Sequence, residues 1–472
     1  ECREDDSIDR SIFILYSPAR SSLASKQGLI KRGKMARTLV LLLVLLCSSA
    51  SLVTSSTSAG AGLRMKLTHV DDKAGYTTEE RVRRAVALSR ERLASMQQQR
   101  GAVGDVSAPV HLATRQYIAE YLIGDPPQRA DALIDTGSNL IWTQCATTCL
   151  KACAKQDLPY YNLSSSASFA PVPCADSAKL CAANGVHLCG LDGSCTFIAS
   201  YGAGSIIGSL GTEAFTFQFG AARLAFGCVS LTQITKGALN GASGLIGLGR
   251  GRLSLISQTG ATKFSYCLTP YFRNHGASSH LFVGASASLS GGRAVTSIPF
   301  VKSPKEYPYS TFYYLPLVGI SVGKTKLPIP SAVFELRRDA AGYWSGGVII
   351  DTGSPVTSLA DAAYRALSEE VTRQLNHSLV QPPGDTGLDL CVARQDVNKV
   401  VPALVFHFSG GADMAVPPGS YWGPVDKSTA CMLIEEGGYE SVIGNFQQQD
   451  LHLLYDIGKG ELSFQTADCS VL

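Results

Sequence analysis

The tetrapeptide Asp-Thr-Gly-Ser occurs twice, at Asp135–Ser138 and at Asp351–Ser354, after Ala-Leu-Ile in the first case and Val-Ile-Ile in the second. Asp135 and Asp351 are 216 residues apart. A repeat of this kind suggests two related lobes that each bring one carboxylate to a shared site. Two carboxylates held together cannot both ionise easily, so they share a proton and present an acid and a base at once. Such a pair can activate a water against an amide carbonyl. The flanking residues suit that task. Thr136 and Thr352 are short hydroxyl donors, and Ser138 and Ser354 can hydrogen-bond the outer carboxylate oxygens and favour their ionised form. Gly137 and Gly353 leave room for sharp turns and for close approach of substrate.

A second repeated element stands behind each motif: Leu245-Ile246-Gly247 in the first half and Val442-Ile443-Gly444 in the second. Each reads as an apolar strand ending in a Gly that allows it to cross close beside an Asp-Thr-Gly loop. From Ser107 onward the chain is made of short β-rich runs punctuated by Gly and polar residues. Examples are 116–123, 213–219, 224–226, 312–320, 348–350 and 461–464. The convincing helical stretches are brief, the clearest being 360–376, where Ala363, Leu367, Val371 and Leu375 share a face. The expected fold is all-β and bilobal, with the cleft between an N-terminal lobe at 107–295 and a C-terminal lobe at 296–472.

Residues before 107 have another character. Up to Asp105 there are 17 Lys and Arg against 11 Asp and Glu; from Ser107 the balance is 24 against 27. A net charge of +3 for 472 residues gives no reason to expect nucleic acid as a partner. Met35, Arg37 and the apolar run Leu39–Cys47, followed by small residues to Ala59, fit a secretory signal peptide over 35–59. The run is short for a membrane span, which takes roughly 20 apolar residues. Residues 1–34 are expected to fall outside the working protein, and no stable membrane anchor is expected. Residues 60–106 read as a propeptide. Thr77 and Glu80 form a capping box, and Val82, Ala85, Val86, Ser89, Leu93 and Met96 trace a helical stripe up to Gly101. Arg81, Arg84, Arg90 and Arg92 are expected on the remaining surface, a basic helix placed to cover an acidic cleft.

Apart from Cys2 and Cys47, twelve cysteines remain: an even number behind a signal peptide, which reads as up to six disulfides. The four-residue steps between Cys145, Cys149 and Cys153 are tolerable for zinc, but no further His or Cys follows closely enough to complete a tetrahedral set. No metal and no cofactor are expected. His-Glu-x-x-His is absent and the eight His are scattered, and Gly247-Leu-Gly-Arg-Gly251 lacks the Lys-Ser/Thr that grips phosphate. Asn162-Leu-Ser164 and Asn376-His-Ser378 are candidate glycosylation acceptors.

Over nearly all of 107–472 the chain resembles the pepsin-type aspartic peptidases, and within them the plant nepenthesin-like branch. The resemblance rests on both Asp-Thr-Gly-Ser motifs, Trp142, Ser200-Tyr-Gly-Ala-Gly-Ser205, Gly244-Leu-Ile-Gly-Leu-Gly249, Phe264-Ser-Tyr-Cys-Leu268, Ile443-Gly-Asn-Phe-Gln-Gln-Gln449 and the cysteine group from Cys145 to Cys195. It implies that Thr136 and Thr352 brace the two loops across the lobe interface. It also implies that Tyr201 and Gly202 belong to a flap closing over bound peptide, and that Trp142 steadies Tyr201 through a hydrogen bond. By similarity in cysteine order the disulfides are Cys145–Cys149, Cys153–Cys228, Cys174–Cys195, Cys181–Cys189, Cys267–Cys469 and Cys391–Cys431. Ala203 stands where nepenthesin-like flaps often carry an acid, and Pro355 follows the second motif where a small residue is usual. The resemblance implies a monomeric, secreted endopeptidase acting on polypeptides at acidic pH, with its own propeptide as inhibitor. The extracellular space is the expected location and the vacuole the alternative. The competing reading is a catalytically silent inhibitor of microbial xylanases built on the same fold.

Overall fold

A computed structural model describes residues 62–72, 76–98 and 116–472, apart from 147–148, 150–151, 177–179, 182–185, 273–278, 341 and 385. The expected upstream segment, signal peptide, helix stop at Gly101 and propeptide junction near 106 lie outside the described residues.

Strand β1, Leu63–His69, precedes helix α1, Thr78–Gln98. The body follows, with β2 at Gln128–Asp135, β3 at Gly244–Gly247, β4 at Val348–Ile350 and β5 at Ser441–Ile443 as the strands that carry the site. The largest sheet has 15 strands, and its central run passes from Leu451–Asp456 through Lys263–Cys267, Ser279–Val283, β1, Tyr117–Ile123 and β2 to β3. The C-terminal half adds smaller sheets, among them one in which β4, β5, Thr357–Leu359 and Ile434–Glu436 lie side by side. The all-β, two-lobed expectation holds.

The expected leader is woven into this body. β1 alternates Leu63, Met65 and Leu67, all buried, with Arg64 and Lys66, which are not. That period of two lets it lie antiparallel between Ser279–Val283 and Tyr117–Ile123. α1 starts at the capping box: Thr77 N–H donates to Glu80 Oε2 at 2.8 Å and Glu80 N–H to Thr77 Oγ1 at 3.2 Å. Val82, Ala85, Val86 and Ser89 are buried, as the stripe predicts.

The helix expected over 360–376 spans Asp361–Leu375, and all four of its stripe residues are buried. Strand boundaries differ from expectation in several places, and 224–226 is part of a longer strand, Ala221–Ile234. In place of 312–320 the strand runs Leu317–Val322, because Tyr309–Thr311 forms a 3-10 turn and Pro316 interrupts the run. The run at 213–219 belongs to a strand ending at Thr216, four residues before Gly220 with its positive φ.

Candidate active site

Each Asp-Thr-Gly-Ser loop is hung on a pair of parallel strands. β2 pairs with β3 so that Asp135 lies opposite Gly247, and β4 pairs with β5 so that Ile350 lies opposite Ile443. Asp135 C=O accepts from Leu248 N–H at 2.8 Å, and Asp351 N–H donates to Ile443 C=O at 3.0 Å. The Gly that ends each apolar strand is required by space. A Cβ on Gly247 would meet the Asn139 backbone at 2.3 Å, and one on Gly444 the Val356 carbonyl at 2.4 Å.

The loops are then tied to each other. Thr136 N–H donates to Thr352 Oγ1 and Thr352 N–H to Thr136 Oγ1, both at 3.0 Å. Each hydroxyl in turn donates across to the strand before the other Asp: Thr136 Oγ1 to Ile350 O at 3.3 Å and Thr352 Oγ1 to Ile134 O at 3.1 Å. Four reciprocal bonds thus fix the loops, with every group buried. Thr352→Val keeps the shape but strands two buried partners, each worth about 1–3 kcal/mol when orphaned. We expect Thr352→Val to lower unfolding free energy by that order in a urea titration, and a change below about 0.5 kcal/mol would contradict this bracing role.

Asp135 and Asp351 are both buried, and each motif's Gly packs against the other motif's carboxylate. A Cβ on Gly353 would lie 2.3 Å from Asp135 Oδ1, and one on Gly137 2.9 Å from Asp351 Oδ1. Gly137 N–H donates to Asp135 Oδ1 and Gly353 N–H to Asp351 Oδ1, each at 2.9 Å. Ser354 Oγ donates to Asp351 Oδ2 at 2.7 Å, as expected. Ser138 departs from expectation: its buried Oγ has no hydrogen-bond partner among the described residues.

The place beside Asp135 is filled from the leader helix. Arg92 Nη2 donates to Asp135 Oδ1 at 2.7 Å and Nη1 to Oδ2 at 3.4 Å, while Nε donates to Asp351 Oδ2 at 2.5 Å. Arg92 is therefore not on the open surface of α1 but buried between the two carboxylates. Burial works against its charge, yet Asp135 and then Asp351 more than offset this and hold it firmly protonated. Burial likewise pushes Asp351 above the ordinary carboxylate range; Arg92 pulls it down and Asp135 pushes it up. Arg92 was legible in part, since it continues the stripe at seven residues after Ala85 and three after Ser89. A charge at a core-facing position was the available signal.

Tyr201 and Gly202 stand at the turn of a hairpin joining Cys195–Tyr201 to Gly204–Thr216, with Tyr201 opposite Gly204. The tip rests on the leader: a Cβ on Gly202 would meet Arg92 Cα at 2.3 Å. α1 thus lies between flap and dyad. Trp142 and Tyr201 are in ring contact, centroids 6.2 Å apart, and the buried Trp142 side chain acts on the Tyr201 hydroxyl as a hydrogen-bonding neighbour. Burial drives the Tyr201 hydroxyl well above its ordinary range, followed by Tyr307 and Asp135, so it stays a neutral donor.

Six disulfides form, and four expected pairings are corrected. Cys145 bonds Cys228, not Cys149, because its strand lies beside the one carrying Cys228, with Thr143 opposite that residue. Cys149 and Cys153 are left to each other. Cys181 bonds Cys195, both wholly buried in the lobe core, and Cys174 takes Cys189. The expected Cys267–Cys469 and Cys391–Cys431 bonds are present. Asn162 and Asn376 are both exposed. No cluster of His, Cys, Asp and Glu among the described residues could hold a metal. No described helix is long and apolar enough to cross a membrane.

Two family models match, described as xylanase inhibitor N-terminal over residues 117–285 and xylanase inhibitor C-terminal over 312–466. The chain is 35% identical to aspartic proteinase nepenthesin-1 of Nepenthes gracilis over 86% of its own length and 90% of the relative's. It is 33% identical to nepenthesin-2 of the same plant over 88% and 94%. Aspartyl protease 37 of Oryza sativa is 31% identical over 91% and 99%. The fold is shared with the solved structures of edgp (TM-score 0.64, 16% identity, 87% of this chain and 96% of that one) and soybean basic 7S globulin (0.61, 16%, 87% and 97%). With its duplicated motifs, its cross-braced loops and relatives that align along most of their length, the chain belongs to the nepenthesin-like plant aspartic proteinases.

Proposed function

We propose that this chain is a secreted aspartic endopeptidase that hydrolyses polypeptides at acidic pH, held inactive by α1 until that segment is removed. The observation that carries the reading is the pair of intact, buried carboxylates on loops locked together by Thr136 and Thr352. Once Arg92 leaves, a water between Asp135 and Asp351 gives a proton to the ionised carboxylate and attacks the scissile carbonyl. The protonated carboxyl donates to the developing oxyanion, and a proton then passes to the departing amine. No acyl-enzyme forms. Tyr201 and Gly202 close over the substrate, excluding water and holding an extended strand by its backbone. Asn162 and Asn376 are the proposed sites of glycosylation, the acting unit is a monomer, and the location is the extracellular space.

The dyad also supplies the trigger for release. Arg92 acts on Asp351 in the lowering direction, so it favours the ionised form relative to a dyad without it. The clamp is therefore strongest when Asp351 is charged and weakens as pH falls and that carboxylate takes up a proton. Acid treatment of the full chain is expected to free the segment before residue 107 and to start cleavage of a denatured polypeptide. N-terminal sequencing and a product gel in the presence and absence of pepstatin read this directly. The family models named for xylanase inhibitors favour a second reading, a silent inhibitor. A chain freed of its leader that cuts nothing but blocks a xylanase would establish that reading instead.

A further inference from the structure

α1 makes a second ionic contact that the reaction does not use. Arg90 Nε lies 2.7 Å from Glu435 Oε1, and Arg90 Nη2 donates to Gly387 O at 2.8 Å. Glu435 is 5% exposed, whereas about half of the Arg90 side chain is open to solvent. A buried carboxylate is costly without a cationic partner, and here the partner lies on the segment expected to be removed. Glu435 sits on the strand Ile434–Glu436, paired in parallel with Thr357–Leu359, so it is built into the framework immediately beyond the Asp351 loop. Between the two lies Val356, whose N–H donates to Ser89 Oγ at 2.9 Å and whose C=O accepts from that hydroxyl at 3.5 Å.

Three neighbouring residues of one helix therefore occupy three different features of the cleft. Ser89 satisfies a backbone donor and acceptor, Arg90 a buried acid, and Arg92 the dyad. A polypeptide that takes the place of α1 meets the same three features. We propose that Glu435, together with the Gly387 carbonyl, forms a specificity subsite on the C-terminal lobe for a basic side chain of the substrate, with Arg90 as its occupant before activation.

The surroundings favour a cation. Tyr364 is pushed up to about 12 by burial first and then by Asp389, Glu435 and Glu436, so the local field is negative. Glu436 is engaged by Arg365 at 3.6 Å, while Glu435 is the one of the two that meets Arg90 of α1. Burial raises the Glu435 carboxyl to about 7 while Arg90 pulls it the other way. The charged form thus grows as pH rises toward 7, and with it the preference for a basic side chain. That trend runs against the dyad's own need for a proton.

This inference rests on the peptidase reading, and two arms keep the two separable. In the first, the acid-activated protein is given a peptide series in which arginine or norleucine is scanned through each position around the cleaved bond. One position is expected to favour arginine increasingly as pH rises toward 7, by about tenfold in kcat/KM at the highest pH that still allows turnover, as an ionic hydrogen bond of ordinary strength gives. Glu435→Gln should bring that ratio close to one, and Glu435→Arg should turn the preference toward glutamate at the same position. In the second arm, the full chain carrying Arg90→Ala, Arg92→Ala and Asp135→Asn, which opens the cleft but cannot turn over, is titrated with the same peptides by calorimetry. Arginine should bind about tenfold tighter than norleucine, and the added Glu435→Gln should cancel the difference even if the first arm shows no cleavage at all. Equal treatment of arginine and norleucine at every position, or an arginine preference that survives Glu435→Gln in a protein with an unchanged melting temperature, would overturn the assignment.

Discussion

In the Arg92→Ala protein the leader helix should come away from the cleft at a pH where the wild-type chain keeps it bound. The guanidinium meets both carboxylates and is itself buried, so its removal takes away three charge-assisted hydrogen bonds in a site shielded from solvent. Breaking one side of a buried ion pair costs about 3–5 kcal/mol. Here part of that is recovered, because the two carboxylates left behind can share a proton. A net weakening of about 3 kcal/mol is on the order of 10²-fold in the closed-to-open ratio. Limited proteolysis of α1 across pH should show release beginning at higher pH in the alanine variant. Arg92→Lys keeps the charge but not the planar fork, and it should fall between the two. Release of Arg92→Ala at the wild-type pH would mean that the other contacts hold the leader, namely Arg84 to Gly237, Ser89 to Val356 and Arg90 to Glu435.

The larger effect belongs to the dyad itself. Asp135→Asn and Asp351→Asn are nearly isosteric, and each keeps an oxygen for the N–H of Gly137 or Gly353. The fold should therefore persist, with little change in circular dichroism or melting temperature. What is lost is one half of an acid–base pair, and that chemistry contributes typically 10²–10⁴-fold. Because the two carboxylates act as a unit, each single variant is expected to lose at least about 10³-fold in kcat on a peptide substrate, and the double variant little more. A single variant within tenfold of wild type would rule out the shared-proton mechanism.

Much of this site was legible in the sequence because its essentials are local. An acid followed by Thr-Gly-Ser at the end of an apolar strand specifies a loop, and the later apolar-Gly element specifies what crosses behind it. Both copies fold as read, down to Gly247 and Gly444 pressed against backbone. The capping box of Thr77 and Glu80 and the buried face of the helix at Asp361–Leu375 are local in the same sense. Failures came where partners are chosen in three dimensions. Cys145 is four residues from Cys149 but lies beside the strand of Cys228, and the structure follows the strand. Arg92 looked like one of several solvated cations until the body supplied two carboxylates beneath it. Leu63–His69 has the alternation of a strand, yet only the gap between two body strands explains why it pairs there. Glu435 had no sequence signal, since its meaning comes from the helix laid against it.

The central claim is most directly tested by the rate at which the acid-activated chain cuts a denatured polypeptide from pH 2 to 8, with kcat followed at saturating substrate. In pepsin the coupled pair titrates in two steps, one far below the ordinary carboxylate range and one at about 4.7, and both belong to the pair and not to either residue. A rate that is highest in the acid range and falls as the second carboxylate ionises is the predicted result. A rate that peaks at neutral or higher pH, or that survives unchanged in Asp135→Asn, would contradict a water activated between Asp135 and Asp351.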